Sequence, residues 1–315
     1  MDVAPVTRAP LANLEPPRTK SYPPVPEGLY HAFRSGEETL VSMTWRQQQL
    51  HEARRWSVVE MLEHIDVDSL SREDRTYVWN AGRAELTTKP GADRVTRLAD
   101  KECRRWQDTD PALAAVMQAC GTWSRYWNEE EAHHETVFNE LAARMGMPAV
   151  EDSTFIEFRK IFPDDDMLRT LTLLAISEIA AANKYVACSR ACSDPGLAAL
   201  LRQVASDEIQ HMRYFSSFAR GLVDSGRYHG KEAISIAYLF TREGGELFGS
   251  RRERVEERDS HVNWWDHVQT DDGVSQPDSI ERQRTMIFAM IKSVTGISVG
   301  SVEELEDAWM DAVGC

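Results

Sequence analysis

The strongest constraint on how this chain can fold is a set of acidic and imidazole side chains standing where apolar ones are due. In the stretch Trp127 to Glu135, WNEEEAHHE, Glu131 and His134 lie three residues apart, so on an α-helix both project from one face. The same stripe carries Cys120, Trp127, Phe138, Leu141 and Met145, which marks it as a face meant for burial. The overlapping pair Glu130 and His133 sits about 100° round the helix and reads as flanking that stripe. An ionised carboxylate on a buried face costs several kcal/mol unless it is paired, so the fold has to bring Glu131 a partner.

Three further stripes show the same conflict. A helix expected from Asp68 or Ser69, as its cap, runs through Tyr77, Val78, Ala81 and Glu85 until Lys89-Pro90-Gly91 kinks or ends it, and the pattern resumes to about Trp106. Asp110-Pro111 starts the helix that carries WNEEEAHHE, which continues to Met145. The acidic cluster Asp164 to Asp166 suits the start of a helix to about Cys192, with Leu171, Leu174, Glu178, Ala181, Tyr185 and Cys188 on one face. After Ser193-Asp194-Pro195, a 4-3-4-3 spacing of Leu197, Leu201, Val204, Glu208, His211, Phe215, Phe218 and Leu222 holds a second in-stripe Glu and His. Shorter helical patterns lie at about Glu37 to Ile65, Lys231 to Glu257 and Asp278 to Val313, with Gly244-Gly245 and Gly296 to Gly300 as interruptions. No strand-period region is found, so the expected class is all-α. The first thirty-five residues, with prolines clustered at Pro16-Pro17 and Pro23-Pro24, read as an extended arm, and residues 36–315 as one helical domain whose core spans about 69–221.

Along the chain the in-stripe acids run E, ExxH, E, ExxH: Glu85, Glu131 with His134, Glu178, Glu208 with His211. No Lys or Arg stands on these stripes to balance four carboxylates, whereas two divalent cations would. This is the ligand order of ferritin-like di-iron carboxylate bundles. Oxygen and imidazole donors suit iron or manganese; a closed zinc site would more often use cysteine. Asp207, just before the second motif, is placed to accept a hydrogen bond from a ligand histidine, and Trp123 and Trp127 read as core.

The remaining composition mainly excludes. A formal charge of −15 argues against non-specific nucleic-acid binding. The five cysteines show no CxxC spacing, which fits reduced thiols. Neither a basic start followed by an apolar run nor an eighteen-residue uncharged apolar stretch is found, so a soluble, cytoplasmic protein is expected, without membrane insertion. No Gly-rich dinucleotide fingerprint or Fe–S cysteine set is present, so electrons for redox chemistry would come from a separate donor.

Trp127 with Glu130-Glu131 and His134 resembles the W-x-x-E-E-x-x-H motif of the soluble acyl-carrier-protein desaturases, and Asp207-Glu208-Ile209-Gln210-His211 resembles their D-E-x-x-H; the likeness covers roughly Ser69 to Gly221. It implies two iron ions held by Glu85, Glu131, His134, Glu178, Glu208 and His211, with Asp207 behind them and Ala181, Trp127 and Phe138 around an oxygen or substrate pocket. It also implies molecular oxygen as oxidant, a ferredoxin-type reductant, a homodimer, and an acyl chain carried as a thioester on an acyl carrier protein. Arg54-Arg55, or Arg251-Arg252 with Arg254, would give that acidic carrier a landing patch. Three departures matter. Ala181 stands where plant desaturases have a Thr, so a hydroxyl is missing there. Val204 stands where arylamine N-oxygenases have an additional His. Phe138 stands where ribonucleotide reductase small subunits carry a radical Tyr. Desaturation is therefore the leading expectation, with C-hydroxylation or N-oxygenation next and a non-catalytic iron or manganese binder third.

Overall fold

The computed structural model describes residue 25 and residues 28–85, 88–147, 165–242 and 277–314. Every regular element among them is a helix, as expected for an all-α chain. In order they are α1 (Leu29–Ser35), α2 (Leu40–Arg54), α3 (Val58–Glu63), α4 (Arg72–Glu85), α5 (Thr88–Trp106), α6 (Pro111–Arg144), α7 (Met167–Ala191), α8 (Pro195–Asp224), α9 (Lys231–Arg242), α10 (Pro277–Thr295) and α11 (Val302–Val313).

Short polar residues set the long helices' starts. Asp110, Asp166 and Asp194 each accept a hydrogen bond from the backbone N–H three residues on, and Pro111 and Pro195 occupy first-turn positions where a missing N–H costs nothing. At 34 residues α6 is about 50 Å long and forms the spine. Gly196 has to be glycine, because a Cβ there would stand 2.1 Å from the His64 carbonyl oxygen where α8 meets the end of α3.

Several boundaries differ from expectation. Leu29–Ser35, at the end of the stretch read as an extended arm, is helical, and Leu29 and Tyr30 are buried. The helix expected over about Glu37 to Ile65 is broken after Arg54: Ser57 accepts from the Glu60 N–H to start α3, and Trp56 turns inward to donate to Asp207 at 2.9 Å. Ser71 caps α4, rather than Asp68 or Ser69, by accepting from the Asp74 N–H. Lys89-Pro90-Gly91 does not make the break near Glu85. These residues lie in the first turn of α5, where proline is tolerated. Residues 243–276, which hold Arg251, Arg252 and Arg254, lie outside the described residues.

Two apolar clusters pack along the bundle, and their membership fixes the helix directions. One holds Trp123 and Trp127 of α6 with Tyr214, Phe215 and Phe218 of α8. The other holds Val137, Phe138 and Leu141 of α6 with Leu197, Leu200, Leu201 and Val204 of α8. The early half of α6 thus faces the late half of α8, and the two run antiparallel. Helix α7 runs with α6, giving Leu171 to Ile179 to the first cluster and Tyr185 and Cys188 to the second. On the remaining side α4 packs by the second cluster through Tyr77, Val78 and Ala81, and α5 continues past the first through Val95, Leu98 and Ala99. Each large apolar side chain buried in this way contributes about 1.5–3 kcal/mol. All six candidate ligands fall at the seam between the clusters. Helix α7 is long and apolar enough to cross a membrane, but 78% of its most apolar window is buried within the protein, as in a bundle's core helix.

Candidate metal centre

Four helices deliver the six residues to one place. Glu85 closes α4, Glu131 and His134 come one and two turns after Trp127 on α6, Glu178 lies mid-way along α7, and Glu208 with His211 lie mid-way along α8. Their side chains are all buried, and both histidines are completely so. Ligand atoms of Glu85, Glu131, His134 and Glu208 lie within 4.8 Å of one another, and so do those of Glu131, Glu178, Glu208 and His211. Glu131 and Glu208 belong to both groups. The site thus has two halves, each with its own histidine and its own terminal carboxylate, joined by two shared carboxylates.

The two histidines use their rings alike. His134 Nδ1 faces Glu131 at 3.3 Å, Glu208 at 3.5 Å and Glu85 at 3.9 Å. His211 Nδ1 faces Glu131 at 2.9 Å, Glu208 at 3.0 Å and Glu178 at 3.9 Å. Each Nε2 points outward to a carboxylate on the other motif helix: His134 to Asp207 at 3.4 Å, His211 to Glu130 at 2.8 Å. With Nε2–H held by a carboxylate, it is Nδ1 that would give up its proton and turn a lone pair into the site when a metal binds, which is the arrangement a metal-binding histidine needs.

A second layer of partners holds these carboxylates. Asp207 receives Arg54 Nη2 at 2.6 Å, Trp56 Nε1 at 2.9 Å and Gln203 Nε2 at 3.2 Å. Glu130 receives His51 Nδ1 at 2.7 Å, and His51 Nε2 reaches the more exposed Glu129 at 3.4 Å. Trp127 Nε1 donates to Glu131 at 2.8 Å, and the Tyr185 hydroxyl donates to Glu85 Oε1. Phe138 stacks on Tyr185 with ring centroids 5.7 Å apart, and half-buried Ala181 packs on the same cluster. Trp123 stacks on Tyr214 at 4.8 Å and belongs to the core.

Charge in the site is unbalanced without cations. Burial, reinforced by the neighbouring carboxylates, pushes Glu85 and Glu178 well above the usual carboxylate range. Burial acts on Glu131 in the same direction, but His134 and His211 outweigh it and hold it well below that range. Burial would lower His134 and His211, and the surrounding carboxylates instead raise both well above 6.5. Hydrogen bonds from His211 and His51 overcome burial at Glu130 and bring it to about 2. Protons are thus crowded into a space where cations would serve better.

The residues fit a pair of divalent metal ions. His134 Nδ1 is buried without a hydrogen-bond partner although three carboxylates surround it, and a cation among them is what would satisfy it. The donors are carboxylate and imidazole only, the hard-to-intermediate set that suits iron or manganese.

Some members of the site were not read from sequence. Glu130, taken as a flank residue, holds His211 from behind. The signal was present, since an acid precedes the ligand Glu in both motifs, Glu130 before Glu131 and Asp207 before Glu208, and each serves the other helix's histidine. His51, Trp56 and Tyr185 carried no motif. Arg54, read as part of a carrier-landing patch, is instead spent on Asp207, with its side chain only 12% exposed.

No curated protein and no solved structure matches this chain. Over residues 102–234, less than half of its length but including every candidate ligand except Glu85, the chain is similar to the family model described as "Fatty acid desaturase".

Proposed function

We propose that this protein is an O₂-dependent non-haem di-iron oxidoreductase that introduces a double bond into an acyl chain carried as a thioester on a carrier protein. The observation that carries the reading is the union of both Glu-x-x-His pairs with Glu85 and Glu178 into two ligand groups sharing Glu131 and Glu208, largely inside the desaturase-like stretch. Iron bound there supplies the reduction of O₂ and the removal of hydrogen from an unactivated C–H bond.

The chain's own residues prepare that chemistry. Asp207 and Glu130 orient the two imidazoles, and Trp127 and Tyr185 fix one oxygen each of Glu131 and Glu85. Phe138, Leu141 and Val204 on one side and Trp123 and Phe215 on the other exclude water from the seam. The Tyr185 phenol, one turn beyond Ala181, is committed to Glu85 Oε1. Electrons come from a separate ferredoxin-type donor. A homodimer acting in the cytoplasm completes the reading.

An acidic carrier needs a basic surface, and the late, exposed edge of α5 offers one, with Arg97, Lys101, Arg104 and Arg105 outnumbering Asp100 and the neighbouring Asp165. The decisive experiment is turnover of a panel of carrier-bound saturated acyl chains by iron-loaded protein with a reductant and O₂. An alkene product is expected, and failure at every chain length would sink the reading. Ala181 favours one alternative, oxygen insertion by a hydroxylase or N-oxygenase, which predicts ¹⁸O from ¹⁸O₂ in the organic product, whereas desaturation leaves none.

A further inference from the structure

The two halves of the metal centre repeat one plan but are backed differently. On the His211 side, Nε2 meets Glu130 at 2.8 Å, and each Glu130 oxygen has one side-chain donor, His51 on Oε1 and His211 on Oε2. On the His134 side the matching contact stretches to 3.4 Å, because Asp207 is crowded. Arg54 and Gln203 take Oδ1, and Trp56 and Gln203 share Oδ2 with His134. A guanidinium at 2.6 Å compensates much of the charge that Asp207 could lend to its histidine.

The terminal carboxylates differ in the same sense. Glu85 Oε1 is taken by the Tyr185 hydroxyl, which leaves one oxygen facing His134. Glu178 stands 3.9 Å from His211 Nδ1 and groups with Glu131 and Glu208, and among the described residues no side chain outside the site takes either of its oxygens. The shared carboxylates lean the same way. Glu131 and Glu208 stand 2.9 and 3.0 Å from His211 Nδ1 but 3.3 and 3.5 Å from His134 Nδ1.

We infer that the two metal positions are unequal, the Glu178–His211 position taking the first divalent cation and the Glu85–His134 position taking the second. The inference rests on the two-metal reading of the site. The first position combines a closely backed imidazole with an uncommitted carboxylate. The second offers an imidazole whose backing charge is compensated and a carboxylate half committed to a phenol. Outer partners of this kind shift metal affinity by about 10–100-fold, so the two loading steps should be separated by about tenfold or more.

The test is an anaerobic titration of metal-free protein with Mn(II), followed by electron paramagnetic resonance and calorimetry. The first equivalent is expected to give the spectrum of an isolated Mn(II) ion, and the second to convert it to a magnetically coupled pair. Glu178→Gln should abolish the tight step. Glu85→Gln should keep the tight step and lose the weak one, with circular dichroism confirming that both variants are folded. Arg54→Gln, which touches no ligand, should narrow the separation by returning charge to Asp207. Coupled pairs from the first additions, loss of the tight step in Glu85→Gln, or an unchanged separation in Arg54→Gln would overturn the order while leaving two metals in place. No Mn(II) bound by the wild-type protein would overturn the two-metal reading itself.

Discussion

Glu130 and Asp207 show how much of this site depends on side chains that never need to touch a metal. Replacing either by its amide keeps shape and volume but removes the charge that steadies an imidazole across the helix interface. Glu130→Gln and Asp207→Asn are therefore expected to weaken metal binding by about 10–100-fold, as read by competition with a chelator of known affinity. Wild-type affinity in both would show that the histidines hold their orientation without them. Tyr185 makes a different contribution. Tyr185→Phe strips a donor from the buried Glu85 carboxyl, so the metal-free protein should lose about 1–3 kcal/mol in urea unfolding. The ligands were legible because a Glu or His on an apolar stripe contradicts its surroundings, and their spacing alone puts them on one face. Tyr185 and Trp56 raise no such contradiction. Both are aromatic residues on faces where aromatics belong, and what gives them a role is a polar atom reaching across to another helix.

Among the elements, the long helices were readable from end to end because each starts with an aspartate and a short stripe of apolar residues sustains it over many turns. The shorter pieces were less so. The break between α2 and α3 follows from a tertiary contact, Trp56 to Asp207, that competes with helix continuation at Arg55 to Ser57. Proline was misleading at Pro90, because in a first turn it starts a helix as readily as it ends one. The same helix, α5, bears on carrier recognition. If the protein acts on a carrier-bound chain as proposed, the bond of Arg54 to Asp207 leaves the exposed cations late in α5 as the surface to test, although Arg97 and Lys101 already share Asp165 and Arg105 stands 3.5 Å from Glu102. The double variant Arg104→Glu, Arg105→Glu should weaken binding of an acidic carrier, with the difference shrinking at high salt. Its metal content should stay as in the wild type. Equal carrier affinity measured by calorimetry would place the landing surface elsewhere.

At the scale of the whole molecule, the bundle holds a charged seam between two apolar clusters, and its stability has to depend on what fills that seam. Without metal, Glu85 and Glu178 sit above their ordinary 4.5, and His134 and His211 sit above 6.5, so the folded state binds protons that the unfolded state has released. Stability from such groups is complete below the unfolded values and is lost as pH rises through the folded ones. Glu130 and Glu131 are shifted the other way, and their contribution is lost only in acid, as pH falls below about 4.5. As pH rises above the ordinary histidine value of 6.5, then, the metal-free protein should become less stable. Divalent cations reverse the sign, since they replace those protons and bind more tightly as the ligands deprotonate. At a hundredfold excess over the dissociation constant, one bound ion adds about 2.7 kcal/mol. Thermal unfolding midpoints followed across that pH range, with a chelator in one series and Mn(II) in the other, should therefore diverge as pH rises. Parallel curves would mean that the six residues form a proton-sharing polar core and not a metal centre.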